Sequence, residues 1–355
     1  MLKIEPQIVG ELRRTTRKEE LYPFLQRAIE LEHSTIPPYL TAWYSLRPGL
    51  NDEVGRLLRS VVIEEMLHMT ISANILVSLG GHPAINHAGF VPSYPGGLPM
   101  GIGGSDFVVH IEAFSMELVK NTFMVIEEPE EPVPTTTETW SNDATPVAEP
   151  VDSPEPDYRT IGEFYAALEE RLRALPDSDF GHVRHQVLRV WPEALNFPIT
   201  DSQSACRAID IIVEQGEGSS TDPFEEGEPA HYYRFGEIYY GAQLVAKPDG
   251  GKARYAYDGA PIAFVGDGVF PMRPDPSPLQ FPAGTYGRML SDDFTAGYSA
   301  LLNSLHAAFN GEPARIRAAM GLMYQLRFLA QRLMSTPLER GRVETAGPVY
   351  RYVKP

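Results

Sequence analysis

The stretch from Asp52 to Gly80 constrains this chain most, because it carries apolar residues at helical spacing and sets ionisable residues among them. At about 100° per residue, Val54, Leu58, Val61, Ile75 and Leu79 share one side of a helix with Glu65, His68 and Ser72. Asn51 or Asp52 suits the N-cap and Gly80-Gly81 the C-cap, so a helix is expected over 51–80. A charge facing a core must be paired, neutralised or bound to a cation, since an isolated buried charge is too costly. Three residues apart, Glu65 and His68 sit on adjacent turns and point one way. One cation can therefore take a carboxylate oxygen and an imidazole nitrogen while Glu65 reaches a second cation. Glu64 lies about 100° round the helix and is a weaker candidate. A lone Glu-x-x-His arises often by chance, so the motif needs support from elsewhere.

That support comes from the preceding segment. In LYPFLQRAIELEHSTIPPYLTAWYSL, Leu21, Leu25, Ala28, Ile36 and Leu40 form an apolar stripe that includes Glu32, and a helix is expected over 19–46. Pro37 and Pro38 lie one turn beyond Glu32 and predict a distortion there, because proline lacks the backbone donor. Two adjacent helices thus each bury a carboxylate, the arrangement required by bundle sites that combine single Glu residues with Glu-x-x-His pairs.

Later ligand candidates are less sharply marked. A helix over 202–217 has Ile209, Ile212 and Val213 on its buried side and ends in Glu214 and Glu217, either of which could face inward. His231, three residues after Glu228, is the best second imidazole, with a capping or surface histidine as its bland alternative. Glu112 shares a stripe with Val109, Val119, Phe123 and Ile126 in a helix expected over 106–128, whereas Glu163 points away from the stripe of a helix over 159–175. Tyr39, Tyr44, Tyr165, Tyr232 and Tyr233 could line a pocket or simply pack. A short helix over 230–240, an irregular β segment over 241–289 and a helical hairpin over 291–335 complete the chain, which is read as one domain over 1–355.

Composition excludes several classes. With 43% hydrophobic and 22% charged residues and no long uncharged apolar run, no membrane span is expected. The single Cys206 excludes thiolate clusters and internal disulfides, so any metal must be held by Glu, Asp and His. A formal net charge of −17 disfavours nucleic acid. Part of that charge sits in 129–157, acidic and rich in Pro and Thr, which predicts a solvated insert. The N-terminus lacks an apolar secretory core, and a cytoplasmic location is expected.

LEHSTIPPYLTAWYSL, IEEMLHMTISANILVSLGGHP, TIGEFYAAL, IVEQGEGS, HYYRFGEI and AGPVYRYV together resemble the ferritin-like domain of iminophenylpyruvate dimer synthases, the violacein- and rebeccamycin-type enzymes. The resemblance spans about 20–335 and implies a mainly α, ferritin-like bundle, with metal roles for Glu32, Glu65, His68, Glu214 and His231. Pathway enzymes of that group are far larger, so substrate identity does not carry over.

The expected activity is that of an oxidoreductase using two Fe ions, or Mn, with dioxygen or peroxide on a small organic substrate such as an amino-acid-derived imine. Hard oxygen donors with two imidazoles suit those metals. In that scheme Glu65 and one later Glu bridge, Glu32 and the remaining Glu are terminal, and His68 and His231 each face one metal. No nucleotide cofactor is indicated, and a homodimer is an open option. The alternative is a non-catalytic metal-binding or accessory protein. A third reading is a hydrophobic-ligand protein in which Glu32, Glu65 and His68 form only a hydrogen-bond network.

Overall fold

The computed structural model describes residues 2–136, 160–216, 218, 222–225, 227–247 and 254–354. After a short α1 (Pro6–Leu12), a hairpin of α2 (Lys18–Ser45) and α3 (Asp52–Ser78) forms its centre. The helix continues through Pro37 and Pro38, where a distortion is expected. Pro38 cannot donate to the Ser34 carbonyl four residues back, and the Tyr94 hydroxyl donates to it instead, at 2.7 Å. Thr41 Oγ1 also donates to the Pro37 carbonyl at 2.8 Å. The acceptor left open by Pro38 is thus served by a side chain.

Asn51 adopts a left-handed φ of +57° and does not cap α3 with its side chain. Its carboxamide instead clamps residue 265, accepting from the Val265 N–H at 2.7 Å and donating to its carbonyl at 3.0 Å. By length and composition α3 could cross a membrane, yet 78% of its apolar window is buried inside the protein. Helices packed against it include α2, α7 (Ser202–Gly216) and α8 (His231–Tyr240).

The helix expected over 106–128 is much shorter. Val109 exchanges backbone bonds with Gly96, Asp275 takes the Ile111 N–H at 3.0 Å, and Ser45 Oγ takes that of Phe114 at 2.8 Å. With those donors committed to distant partners, the chain stays extended until Ser115 caps α4 (Met116–Leu118). A π-helical turn, Val119–Phe123, then leads into α5 (Met124–Ile126). A π turn takes up one residue more than an α turn, so the inward register shifts just before Glu127.

Helix α6 (Ile161–Arg173) begins with a capping box. The Glu163 N–H donates to Thr160 Oγ1 at 2.9 Å, and the Thr160 N–H donates to Glu163 Oε2 at 3.1 Å. Beyond α8, strand β4 (Ala242–Ala246) runs antiparallel to β5 (Tyr255–Pro261), which pairs in parallel with β1 (Thr135–Thr136). A minimal hairpin joins β2 (Phe224–Glu225) to β3 (Glu228–Pro229). The start of the acidic insert touches the domain at Val133, which is buried and whose N–H donates to Tyr233 Oη at 2.8 Å, while Glu130, Glu131, Pro132 and Pro134 stay exposed. Residues 137–157 of that insert lie outside the described residues. Helices α9 (Tyr286–Phe309) and α10 (Ile316–Met334) form the closing hairpin. It covers the face of α2 and α3 that looks away from α6, α7 and α8.

Candidate metal centre

Among the described residues, five ionisable side chains that could hold a metal converge between these helices. Glu32, Glu65 and His68 form one group and Glu65, Glu127 and His231 a second, with donor atoms within 4.8 Å of one another in each. Glu65 belongs to both. All five residues are 9% exposed or less. The imidazoles of His68 and His231 lie roughly parallel, with ring centres 5.5 Å apart.

Neighbouring groups set the tautomer of each imidazole. His68 Nε2 is 3.0 Å from Gln215 Oε1, an oxygen that can only accept, so Nε2 carries the proton. Its Nδ1 then presents a lone pair to Glu32 Oε2 at 3.5 Å and Glu65 Oε1 at 4.0 Å. His231 Nε2 donates to Glu64 Oε2 at 3.0 Å, while its Nδ1 lies 2.9 Å from Glu65 Oε1 and 3.4 Å from Glu127 Oε2. That Nδ1 is buried and lies outside hydrogen-bond geometry with either oxygen. A lone pair facing two carboxylates in a dry site is repulsive unless a proton or a cation stands between them. The donor set therefore fits a metal ion on the shared side of both imidazoles.

The electrostatics carry the same strain. Burial, reinforced by the Glu127 carboxylate, pushes Glu65 up to about 7. Burial opposes charge on His231, yet the surrounding carboxylates of Glu127, Glu64 and Glu65 raise it well above the usual histidine range. His68 is raised by Glu32 against the same opposition from burial. Glu64 is the exception. Burial alone would raise it, but the bond from His231 and the Arg234 guanidinium hold its carboxyl down at about 2. Arg234 grips Glu64 through two nitrogens, at 3.0 and 2.7 Å.

The remaining carboxylate oxygens are also placed. Tyr39 Oη donates to Glu127 Oε1 at 2.5 Å, Thr35 Oγ1 to Glu65 Oε2 at 2.6 Å, and Tyr165 Oη to Glu32. A small cavity of about 60 Å³ lies against the group, walled by Ile126, Ile161, Ile212 and Val213.

Of the residues singled out in the sequence, Glu32, Glu65, His68 and His231 are brought together and Glu214 is not. Ile209 and Ile212 face inward on α7, so the next inward position is Gln215, three residues on, and Glu214 is left exposed. Glu217 lies outside the described residues. Glu112 is half-buried in the extended segment before α4, and Glu163 is occupied in its capping box. Glu228 is exposed in β3, so no second Glu-x-x-His joins the group. Sequence reading missed Glu127, which stands at the head of an acidic Pro-rich run and resembles it in composition. It also missed Gln215, although Gln215 continues the stripe of Ile209 and Ile212.

A ferritin-like family profile matches residues 25–240, which span α2 through α8. Among solved structures, a ferritin-like protein from Caulobacter vibrioides is similar, with 24% identity, a TM-score of 0.61 and coverage of 93% of this chain and 97% of that one. No curated protein matches the sequence. The matched region contains both helices of the Glu32, Glu65 and His68 group and the helix that carries His231, and on that match the chain belongs to the ferritin-like family.

Proposed function

We propose that the chain is a dinuclear metal-dependent oxidoreductase, with iron or manganese held by Glu32, Glu65 and His68 on one side and by Glu65, Glu127 and His231 on the other. The observation that carries this reading is the sharing of Glu65 between two Glu/His groups whose imidazole lone pairs both turn toward it. Oxygen-rich donors with imidazole suit Fe or Mn, and the absence of nearby thiolate argues against softer metals.

When bound, such a pair supplies electrons and open coordination positions for dioxygen or peroxide. The chain's own residues do the rest. Gln215 and Glu64 hold the imidazole Nε2 protons so that Nδ1 stays available, and such outer contacts sharpen metal affinity. Thr35, Tyr39 and Tyr165 fix the carboxylates in orientation. The apolar wall of Ile126, Ile161, Ile212 and Val213 keeps bulk water from the group. Two divalent cations bring four charges against three carboxylates, which leaves room for an anionic or polar molecule to complete the coordination.

If the iminophenylpyruvate dimer synthases are the guide, the substrate class is an amino-acid-derived imine or enamine, although the particular substrate does not carry over. A non-catalytic metal-binding protein is the second reading, and one observation favours it. The 60 Å³ beside the group admits a diatomic molecule but is too small for an aromatic imine in this conformation.

The test is elemental analysis of protein purified and then reconstituted anaerobically with Fe(II) or Mn(II), followed by oxygen-uptake assays with amino acid imines. About two metals per chain with substrate-dependent oxygen uptake supports the oxidoreductase. Two metals without turnover supports the second reading, and no stoichiometric metal overturns both.

A further inference from the structure

The turn between α2 and α3 and one residue of α10 line a pocket of about 190 Å³ that shares no lining residue with the carboxylate group. Four arginines, Arg47, Arg56, Arg59 and Arg327, stand in its wall against a single carboxylate, Asp52. Acidic residues outnumber Lys and Arg by 47 to 30 in the whole chain, so a cationic wall runs against the composition.

Of the four, Arg56 is paired with Glu53, at 2.8 Å. Arg47 donates its Nε to the Val269 carbonyl at 3.3 Å and lays its guanidinium 4.6 Å from the centre of the Phe270 ring. Arg59 is exposed and Arg327 half-buried, and neither makes a hydrogen bond or ion pair to a described residue. Arg327 is nevertheless held in place, with its guanidinium carbon 4.6 Å from the centre of the Trp43 ring. Its Nε is buried without an acceptor, whereas its two Nη nitrogens are not closed off. Trp43 is 6% exposed, and its indole N–H, beside Gly55, has no acceptor among the described residues. The lining is thus rich in donors and poor in acceptors. Like charges gathered in one pocket repel, and a guanidinium stacked on an aromatic ring is already fixed in orientation.

We propose that this pocket binds a phosphoryl group, as free phosphate or as the end of a small phosphate ester, held by Arg47, Arg59 and Arg327 beside Trp43. Charge selects an anion, and the number of donors selects its kind. A carboxylate offers two oxygens and one charge, whereas a phosphoryl group offers three outer oxygens and a charge of about −1.5 to −2 at neutral pH, enough for several guanidiniums to share. The first turn of α3, a 27-residue helix, also lines the pocket and adds positive partial charge. A cavity of about 150 Å³ holds one benzene, so the volume here suffices for a phosphoryl group with a small substituent. The site is independent of the metal reading, and its test does not pass through activity.

Inorganic phosphate and phenyl phosphate are titrated calorimetrically into the metal-free full-length chain, so that binding to a metal does not contribute. The expected result is one saturable site per chain with a Kd of about 1 mM or below, weakened by added salt. Arg59→Gln and Arg327→Gln should each weaken binding about tenfold, and Asp52→Asn should tighten it by removing the opposing charge. Arg327 covers Trp43, so melting curves establish that its variant is folded; Arg59 is exposed and touches no described partner, which keeps the test open if Arg327→Gln unfolds. Tighter binding of phenyl phosphate assigns the pocket to an ester and equal affinity assigns it to free phosphate, both in support. Absence of saturable binding of either compound overturns the proposal, as does affinity unchanged in both arginine variants. Succinate binding more tightly than phosphate makes the pocket a carboxylate site and overturns it too.

Discussion

Glu64 and Glu65, consecutive on α3, hold opposite nitrogens of one imidazole: Glu64 Oε2 takes the His231 Nε2 proton at 3.0 Å, and Glu65 Oε1 faces Nδ1 at 2.9 Å. Adjacent helix positions diverge by about 100°, and His231 sits in the angle between them. Glu64 is in turn anchored by Arg234, one turn beyond His231 on α8.

This arrangement makes Glu64 a positioning residue. Glu64→Ala should lower metal affinity about 10- to 100-fold while the donor set stays intact. It also strands the buried Arg234, at a cost of about 3 kcal/mol in stability. Glu64→Gln keeps an acceptor for Nε2 and should recover most of the affinity but not the stability. Metal titration and urea unfolding of both variants separate the two effects, and equal affinity in all three proteins would remove Glu64 from the site.

Glu65 should be the least replaceable ligand. Glu65→Ala is expected to lose both metals, whereas Glu32→Ala and Glu127→Ala should each lose one, read as metal per chain after desalting. Metal should stabilise the parent chain by about 4 kcal/mol per occupied site at a thousandfold excess over Kd, about 8 kcal/mol for two, and this increment should vanish in Glu65→Ala. Retention of two metals by Glu127→Ala would exclude Glu127 as a ligand.

Metal uptake should release protons. Burial holds Glu65 near 7 and its carboxylate neighbours raise His231 further, so below pH 7 both carry protons that a cation must displace. Apparent affinity should therefore rise with pH, by up to about tenfold per unit for each proton displaced, and flatten once the sites are deprotonated. Calorimetry at pH 6 in two buffers of different ionisation enthalpy reads the number released, and buffer-independent heats would contradict it.

The proline-bearing turn of α2 offers a prediction remote from the metal. Tyr94→Phe removes the donor to the Ser34 carbonyl and should cost about 1–2 kcal/mol, measured by urea unfolding. Pro38→Ala restores an N–H for that carbonyl, so in the Pro38→Ala background Tyr94→Phe should cost much less. Additive effects would show that the two residues do not share this acceptor.

The central hairpin and its inward residues are written in the order of the amino acids, because helical periodicity is local. Leu21 to Leu40 and Val54 to Leu79 place Glu32, Glu65 and His68 inside whatever packs around them. What they meet depends on packing between distant segments. Glu127 enters through a π turn in a segment whose upstream backbone donors are taken by Gly96, Asp275 and Ser45, none of them near in sequence. Gln215 displaces Glu214 because the inward register of α7 is set by packing against α3 and α6. His231 was legible as a candidate, but its partners Glu64 and Arg234 were not, since a pairing between helices is fixed by the packing of three-dimensional neighbours.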